Sequence, residues 1–197
     1  MSKSLQIIAH GAEDLEDVER MGKNDPYVRF SFDFKDKNSF QRSKSIKNAG
    51  KNVEWNETFI LENYNPNQTL FVEVIDNEAT IDQPISFTDI PLSQLSQAPD
   101  QTLKGRFDLY RTSDKPKGAI SLTLIVLNAG ESQRSATSAH EVRGTTQVVV
   151  DHQKAFKSAI NKEKAGDGAA LIAAGAFAFG VKTLLDAQKK PKADAEP

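Results

Sequence analysis

The chain has 197 residues, with 25 Lys and Arg against 27 Asp and Glu, a formal net charge of −2 and no cysteine. That length buries a substantial core, as one domain with an appendage or as two small domains. Without cysteine there is no disulfide scaffold, thiol nucleophile or Cys-based zinc site. The near-neutral charge excludes the global cationic field of a general nucleic-acid binder, so no nucleic acid is expected as a partner.

The first residues, MSKSLQII, lack the apolar run of a secretory signal. The most apolar segment, Gly168 to Val181, is followed at once by Lys182 and is too short for an ordinary membrane span. A soluble, cytoplasmic protein is expected. In chain order, eight short segments bounded by Gly, Pro, Asn or Asp read as strands: Leu5 to His10, Tyr27 to Phe34, Phe40 to Ile46, Glu57 to Leu61, Leu70 to Ile75, Ile85 to Ile90, Gly105 to Tyr110 and Ala119 to Leu127. Phe30, Phe32 and Phe34 alternate with Ser31 and Asp33, the period of two of a strand with one buried face. No helical run interrupts them. An all-β, eight-stranded antiparallel sandwich over residues 1–128 follows.

Composition then changes. All three Tyr, the single Trp and eight of the eleven Phe lie before residue 129. Residues 129–145 (AGESQRSATSAHEVRGT) are small and polar and read as a flexible linker. Val149, Phe156, Ala159 and Ile160, with Lys154, Lys157, Lys162 and Lys164 between them, predict an amphipathic helix from Thr146 to Lys164. Gly166-Asp167-Gly168 turns the chain into an Ala- and Leu-rich second helix, so residues 146–190 form a helical tail shaped as an αα-hairpin, and residues 191–197 a disordered end. Apolar side chains spread around the second helix, from Leu171 to Leu184, predict self-association or partner binding through the tail.

Three motifs carry the functional reading: G-K-N-D-P-Y-V (Gly22 to Val28), N-V-E-W-N-E-T-F (Asn52 to Phe59) and V-E-V-I-D (Val72 to Asp76). In that order and spacing, over residues 4–128, the chain resembles the C2 domain, the module family that binds calcium and phospholipid. The resemblance implies the phospholipase-like, type II strand order, because the chain opens on the strand that precedes the first acidic loop. It also implies where a cation would sit. Calcium takes about six to eight oxygen ligands. Glu19 and Asp25 fall on the family's D-x-x-G-x-x-D pattern, with Glu in the first place, and Asp76 and Glu78 fall on its D-x-D. The later acidic position lands on Gln83, with Asp82 beside it. The rival reading is a solvated acidic loop of Glu13, Asp14, Glu16, Asp17 and Glu19 beside ordinary turn residues.

Tyr27 and Arg29 share a strand face, as do Arg42 and Lys44 on the next strand. The resemblance makes these the lipid-binding residues, flanked by Lys35, Lys37, Lys47 and Lys51; alternatively they only keep a sheet edge soluble. Met21 and Ile81 are candidate membrane-dipping loop tips, and Trp55 is expected in the core. His10 reads as a partly buried structural residue, and His152 as a solvent-facing position on the helix. No H-E-x-x-H, G-x-S-x-G or phosphate loop occurs, so catalysis is not expected. The sequence thus points to a non-catalytic module, cytoplasmic and peripheral at membranes, that docks on anionic phospholipid or phosphoinositide with weak calcium dependence. The competing function is a calcium-independent scaffold for a protein partner.

Overall fold

The turn-punctuated alternation of the first 128 residues is realised as two sheets that share an apolar core. A computed structural model describes residues 2–19, 22–79, 81–135 and 140–162. The chain divides into a unit of residues 1–160 and a second of 161–197, of which all but the first two residues lie outside the described ones. The strands are β1 (Lys3–Glu13), β2 (Pro26–Ser31), β3 (Gln41–Arg42), β4 (Val53–Tyr64), β5 (Thr69–Asp76), β6 (Gln83–Pro91), β7 (Thr102–Asp108), β8 (Ala119–Leu127) and β9 (Val142–Arg143). One sheet runs β4-β1-β8-β7-β9 and the other β3-β2-β5-β6. Among the named strands every pairing is antiparallel except that of β7 with β9. The last of the eight expected strands closes beside the first, as the permuted order requires. Leu5 and Ile7 of β1, Val28 and Phe30 of β2, Val72 and Val74 of β5, and Leu122 and Leu124 of β8 meet in the core with Trp55.

Two expected strands are shorter than their apolar pattern suggests. β2 stops at Ser31, whose hydroxyl accepts from the Asp33 N–H at 2.8 Å and so turns the chain out of the sheet. The stretch from Phe40 to Ile46 forms a ladder only at Gln41–Arg42. Beyond it the Ser43 hydroxyl takes the Val28 N–H at 3.0 Å while the Ser43 N–H reaches the Val28 carbonyl at 2.9 Å, so a side chain replaces one rung.

The described parts of the segment expected to be a loose linker, residues 129–135 and 140–145, are hydrogen-bonded to the sandwich. The Gln6 amide, 2 % exposed on β1, donates to the Arg134 carbonyl and accepts from the Arg134 N–H, both at 2.8 Å, as a strand neighbour would. Val142 and Arg143 pair in parallel with Gly105 and Arg106. Gly144 follows where a Cβ would stand 2.1 Å from Phe107 Cε1, so only glycine fits. The Gln147 N–H then reaches the Asp89 carbonyl at 2.9 Å. At Gly144 the small residue lets backbone approach the Phe107 ring.

Helix α1 begins at residue 150 and continues to 162, and its residues 150–160 belong to the first unit. Of the apolar positions that predicted it, Phe156 and Ile160 are buried and Ala159 is exposed. Phe156 and Ile160 pack with Tyr27, Ile75 and Phe87 on the outer face of the β3-β2-β5-β6 sheet, each adding roughly 2 kcal/mol. Strands β2, β5 and β6 are consequently covered on both faces, which is why Leu70 to Asp76 is buried without interruption.

His152 corrects the expectation of a solvent-facing histidine: it is fully buried. Its Nδ1 lies 2.5 Å from Asp89 Oδ1 and its Nε2 2.9 Å from Glu73 Oε1. The rings of Phe34, Phe71 and Phe87 surround it with centroids 5.0, 5.1 and 5.0 Å away. Burial alone would lower the imidazole pKa, but the bonds to Asp89 and Glu73 and their charges outweigh it and bring it up to about 9. Burial likewise opposes ionisation of Glu73, and the bonds and charges of His152 and Arg29 win, holding that carboxyl below its usual range. The remainder of the tail, including the proposed αα-hairpin, the self-association stripe and residues 191–197, lies outside the described residues.

The folded-state imidazole value lies above the roughly 6.5 of a free histidine. Its stabilisation is therefore complete below pH about 6.5 and is lost as pH rises through about 9. Thermal denaturation of the full chain between pH 7 and 10 is expected to show this fall. His152→Ala leaves two buried carboxylates short of a partner, lowers stability at pH 7 by about 3 kcal/mol, and removes most of the alkaline dependence; an unchanged pH profile contradicts the assignment.

Candidate functional site

At one end of the sandwich, two loops bring carboxylates together. The first joins β1 to β2 and is organised by Asn24, fully buried. Its Oδ1 accepts from the Val18 N–H at 3.0 Å, and its Nδ2 donates to the Glu16 carbonyl at 2.8 Å and the Gly50 carbonyl at 3.5 Å. Leu15 anchors the same loop, 2 % exposed, with its N–H on the Lys51 carbonyl at 3.0 Å. Gly22 has φ +119°, and a Cβ there would lie 2.4 Å from Glu19 Oε2. That glycine lets Glu19 fold back over its own loop.

Asp76 ends β5 and is fully buried. Its Oδ1 accepts from the Asp25 N–H at 2.5 Å, whereas its Oδ2 is buried with no hydrogen-bond partner. Glu19, Asp76 and Glu78 each offer an oxygen, and these lie within 4.8 Å of one another. Burial first, then the charges of Glu19, Glu78 and Asp25, push the Asp76 carboxyl up to about 6 against the opposing Asp25 N–H bond. Desolvation, followed by repulsion from Glu78, Asp25 and Asp17, raises Glu19 as well. Such a cluster of like charges around an orphaned oxygen is one that a hard cation with oxygen preference could neutralise.

The other two expected ligands have protein partners. Asp25 Oδ1 accepts from the Asn48 N–H at 2.6 Å, and its carbonyl accepts from the Asn77 N–H at 3.2 Å, so Asp25 ties both acidic loops to the Asn48 turn. Asp82 accepts from the Tyr27 hydroxyl at 2.8 Å through one oxygen and from the Glu78 N–H at 3.2 Å through the other. It closes the second loop and positions Glu78. Gln83, the alternative, pairs opposite Asp76 at the start of β6. Ile81 is 52 % exposed at the tip of this loop, and Met21 lies outside the described residues. Asn24 was not singled out in the sequence, where its only signal is a place just before Asp-Pro.

The basic residues do converge, though not as four free side chains. Arg29 and Arg42 stand opposite each other across β2 and β3. Their like charges are separated by what each one faces. Arg29 is paired with Glu73 across the β2-β5 ladder and lies over the Phe40 ring at 4.6 Å. Arg42 lies over the Tyr27 ring at 5.0 Å. Tyr27 itself is buried, 3 % exposed, and burial together with its bond to Asp82 pushes its hydroxyl up to about 12. Arg42 and Lys44 are exposed, as are Lys35, Lys37, Lys47 and Lys51. Trp55 is buried and donates from Nε1 to the Pro26 carbonyl at 3.2 Å, fixing the entry of β2.

Comparison with known proteins identifies the family of this fold. Residues 3–109 match the C2 domain family profile. The 16 kDa phloem protein 2 of Arabidopsis thaliana is 30 % identical over 90 residues, 45 % of this chain and 58 % of that protein, so the match spans little more than half the relative's length. Among solved structures, the C2 domain designated A of plant extended synaptotagmin 1 has a TM-score of 0.55 and 24 % identity, covering 65 % of this chain and 96 % of that one. The calcium-bound pair of C2 domains, A and B, of extended synaptotagmin 2 has a TM-score of 0.51 and 26 % identity, covering 62 % of this chain and 45 % of that one.

Replacing Asp76 by Asn removes the most strongly opposed charge of the cluster. The Asp76→Asn chain is expected to melt a few degrees higher than the parent without added metal, about 1 kcal/mol in a chain of this size. In the same melts, calcium should then leave its transition where it is. A lower melting temperature would show that the Asp76 charge is structural.

Proposed function

The chain belongs to the C2 family, and we propose that it is a non-catalytic C2 module that docks on anionic phospholipid membrane, with calcium acting at the acidic end of the sandwich. The observation that carries this reading is the buried Asp76 Oδ2, without a hydrogen-bond partner and grouped with Glu19 and Glu78. Glu19, Asp76 and Glu78 would hold the ion, with Asp25 and Asp82 holding the two loops. The bound ion supplies positive charge where an anionic headgroup arrives and cancels the repulsion among the carboxylates. Glutamates in two of the family's aspartate places lengthen the ligands, so affinity is weak, roughly 10⁻⁴ to 10⁻³ M.

Arg42 and Lys44, exposed at the β3 edge with Lys47 and Lys51 following, supply the attraction to the leaflet, each cation adding about 1 kcal/mol near an anionic surface. Ile81 is the apolar residue placed to enter the interface. Among the described residues no helix is long and apolar enough to cross a membrane, which fits peripheral attachment.

Two measurements check the proposal. Millimolar calcium is expected to raise the melting temperature of the full chain by mass action; no shift overturns the metal site. In sedimentation with vesicles of phosphatidylcholine and phosphatidylserine, Arg42→Glu with Lys44→Glu should weaken binding and flatten its salt dependence, because the attraction is screened within about 8 Å. Equal binding by variant and parent, with or without chelator, leaves the patch a solubility feature and favours the scaffold reading.

A further inference from the structure

The outer face of the β3-β2-β5-β6 sheet is acidic where β5 and β6 cross it. Glu73 of β5 and Asp89 of β6 both project there. Bare, this face would repel an anionic membrane beside Arg42, the residue expected to attract one. Helix α1 changes what the face presents. Its His152 is fully buried between the two carboxylates, and Asp89 Oδ2 also accepts from the Val149 N–H at 2.6 Å, at the start of the helix where the helix dipole favours an anion. The Gln153 amide donates to Asp114 at 2.9 Å, engaging a further acidic residue. Arg29, from β2, holds the other oxygen of Glu73. With these contacts Glu73 is 6 % exposed and Asp89 fully buried.

The opposite side of α1 carries the reverse character. Lys154 is exposed and Lys157 half-buried, against a single exposed acid, Asp151, which lies 3.7 Å from Lys154. Lys157 has no ion-pair partner among the described residues. The helix also borders the basic strand pair: Phe156 and Ile160 pack with Tyr27, the residue whose ring lies beneath Arg42.

The geometry points to α1 as part of the membrane-contact surface: clasped by His152, it buries the acidic sheet face and presents Lys154 and Lys157 beside Arg42 and Lys44 to anionic phospholipid. The inference rests on the membrane-docking reading and deepens it, because the lipid surface then extends past the sandwich into residues 150–160. It also accounts for the histidine, since an apolar residue at 152 would leave Glu73 with Arg29 as its cation and the buried Asp89 with only the Val149 N–H.

The test uses the full chain with chelator present and vesicles of phosphatidylcholine containing phosphatidylserine. Lys154→Glu with Lys157→Glu, on the outward side of α1, is expected to leave the fold intact by Trp55 emission and to weaken vesicle binding at least roughly tenfold, the effect of losing two cations near an anionic surface. Asp151→Asn should strengthen binding, an outcome that a merely structural helix would not produce. His152→Ala should expose the backbone amides of residues 150–160 to hydrogen exchange and weaken binding too, by uncovering Glu73 and Asp89.

Arg42→Glu with Lys44→Glu is the reference arm. Loss of binding in that arm but none in the α1 lysine variant overturns this inference alone. Tighter binding by His152→Ala also overturns it, because α1 would then be a cover that opposes docking. No vesicle binding by the parent or any variant, in chelator or in calcium, overturns the docking reading and this inference together.

Discussion

Glu73 sits near the middle of β5, a strand covered on both faces, and an ionised carboxylate in that place must be neutralised where it stands. Two cations from distant parts of the chain do this: Arg29 from the neighbouring β2, and His152 from α1. The same His152 neutralises Asp89 on β6. One buried network therefore joins β2, β5, β6 and the helix, and its members hold each other's ionisation in place. Burial opposes every charge in it, and only the full set of partners reverses that penalty. The aromatic rings of Phe34, Phe71 and Phe87 close the network from water, which strengthens each ion pair within it.

This constraint explains why the domain continues beyond its last sandwich strand. A sheet face bearing Glu73, Asp89, Phe71 and Phe87 is neither a good solvent surface nor a good apolar core. An amphipathic helix with a cation at one position and apolar residues four and eight positions later matches it, and His152, Phe156 and Ile160 have that spacing. The route to the helix is fixed with equal care, by Gln6 on Arg134, by the β7-β9 pairing and by Gln147 on Asp89.

The acidic end of the sandwich obeys the opposite rule. There the carboxylates of Glu19, Asp76 and Glu78 gather, among the described residues, without a neutralising side chain, and one buried oxygen of Asp76 is unpartnered. On the sheet face, side chains of the chain itself balance Glu73 and Asp89; at the loops the second Asp76 oxygen has no such partner among the described residues. Asp25 and Asp82, bonded to backbone and tyrosine, hold the loops in this unsatisfied arrangement.

Much of this was legible in the sequence. Period-two alternation and turn residues located the eight strands, because strand burial is a local, periodic property, and the Asp-Pro-Tyr-Val and Asn-Val-Glu-Trp motifs identified the family. The family resemblance pointed to Glu19, Asp25, Asp76, Glu78 and Asp82 as one acidic site, of which Glu19, Asp76 and Glu78 lie together. Three things needed tertiary structure. Ser43 and Ser31 shorten strands through side-chain bonds whose partners are chosen by neighbours in space. Asp25 and Asp82 serve the loops, a role set by the Asn48 turn and by Tyr27. Above all, the burial of His152 depends on two carboxylates 79 and 63 residues away in sequence. Nothing local distinguishes a histidine on an amphipathic helix that faces water from one that faces Glu73 and Asp89. Periodicity reports which side of an element is apolar, whereas the placing of charges is decided by long-range partners, since a buried charge is stable only where its counter-charge arrives.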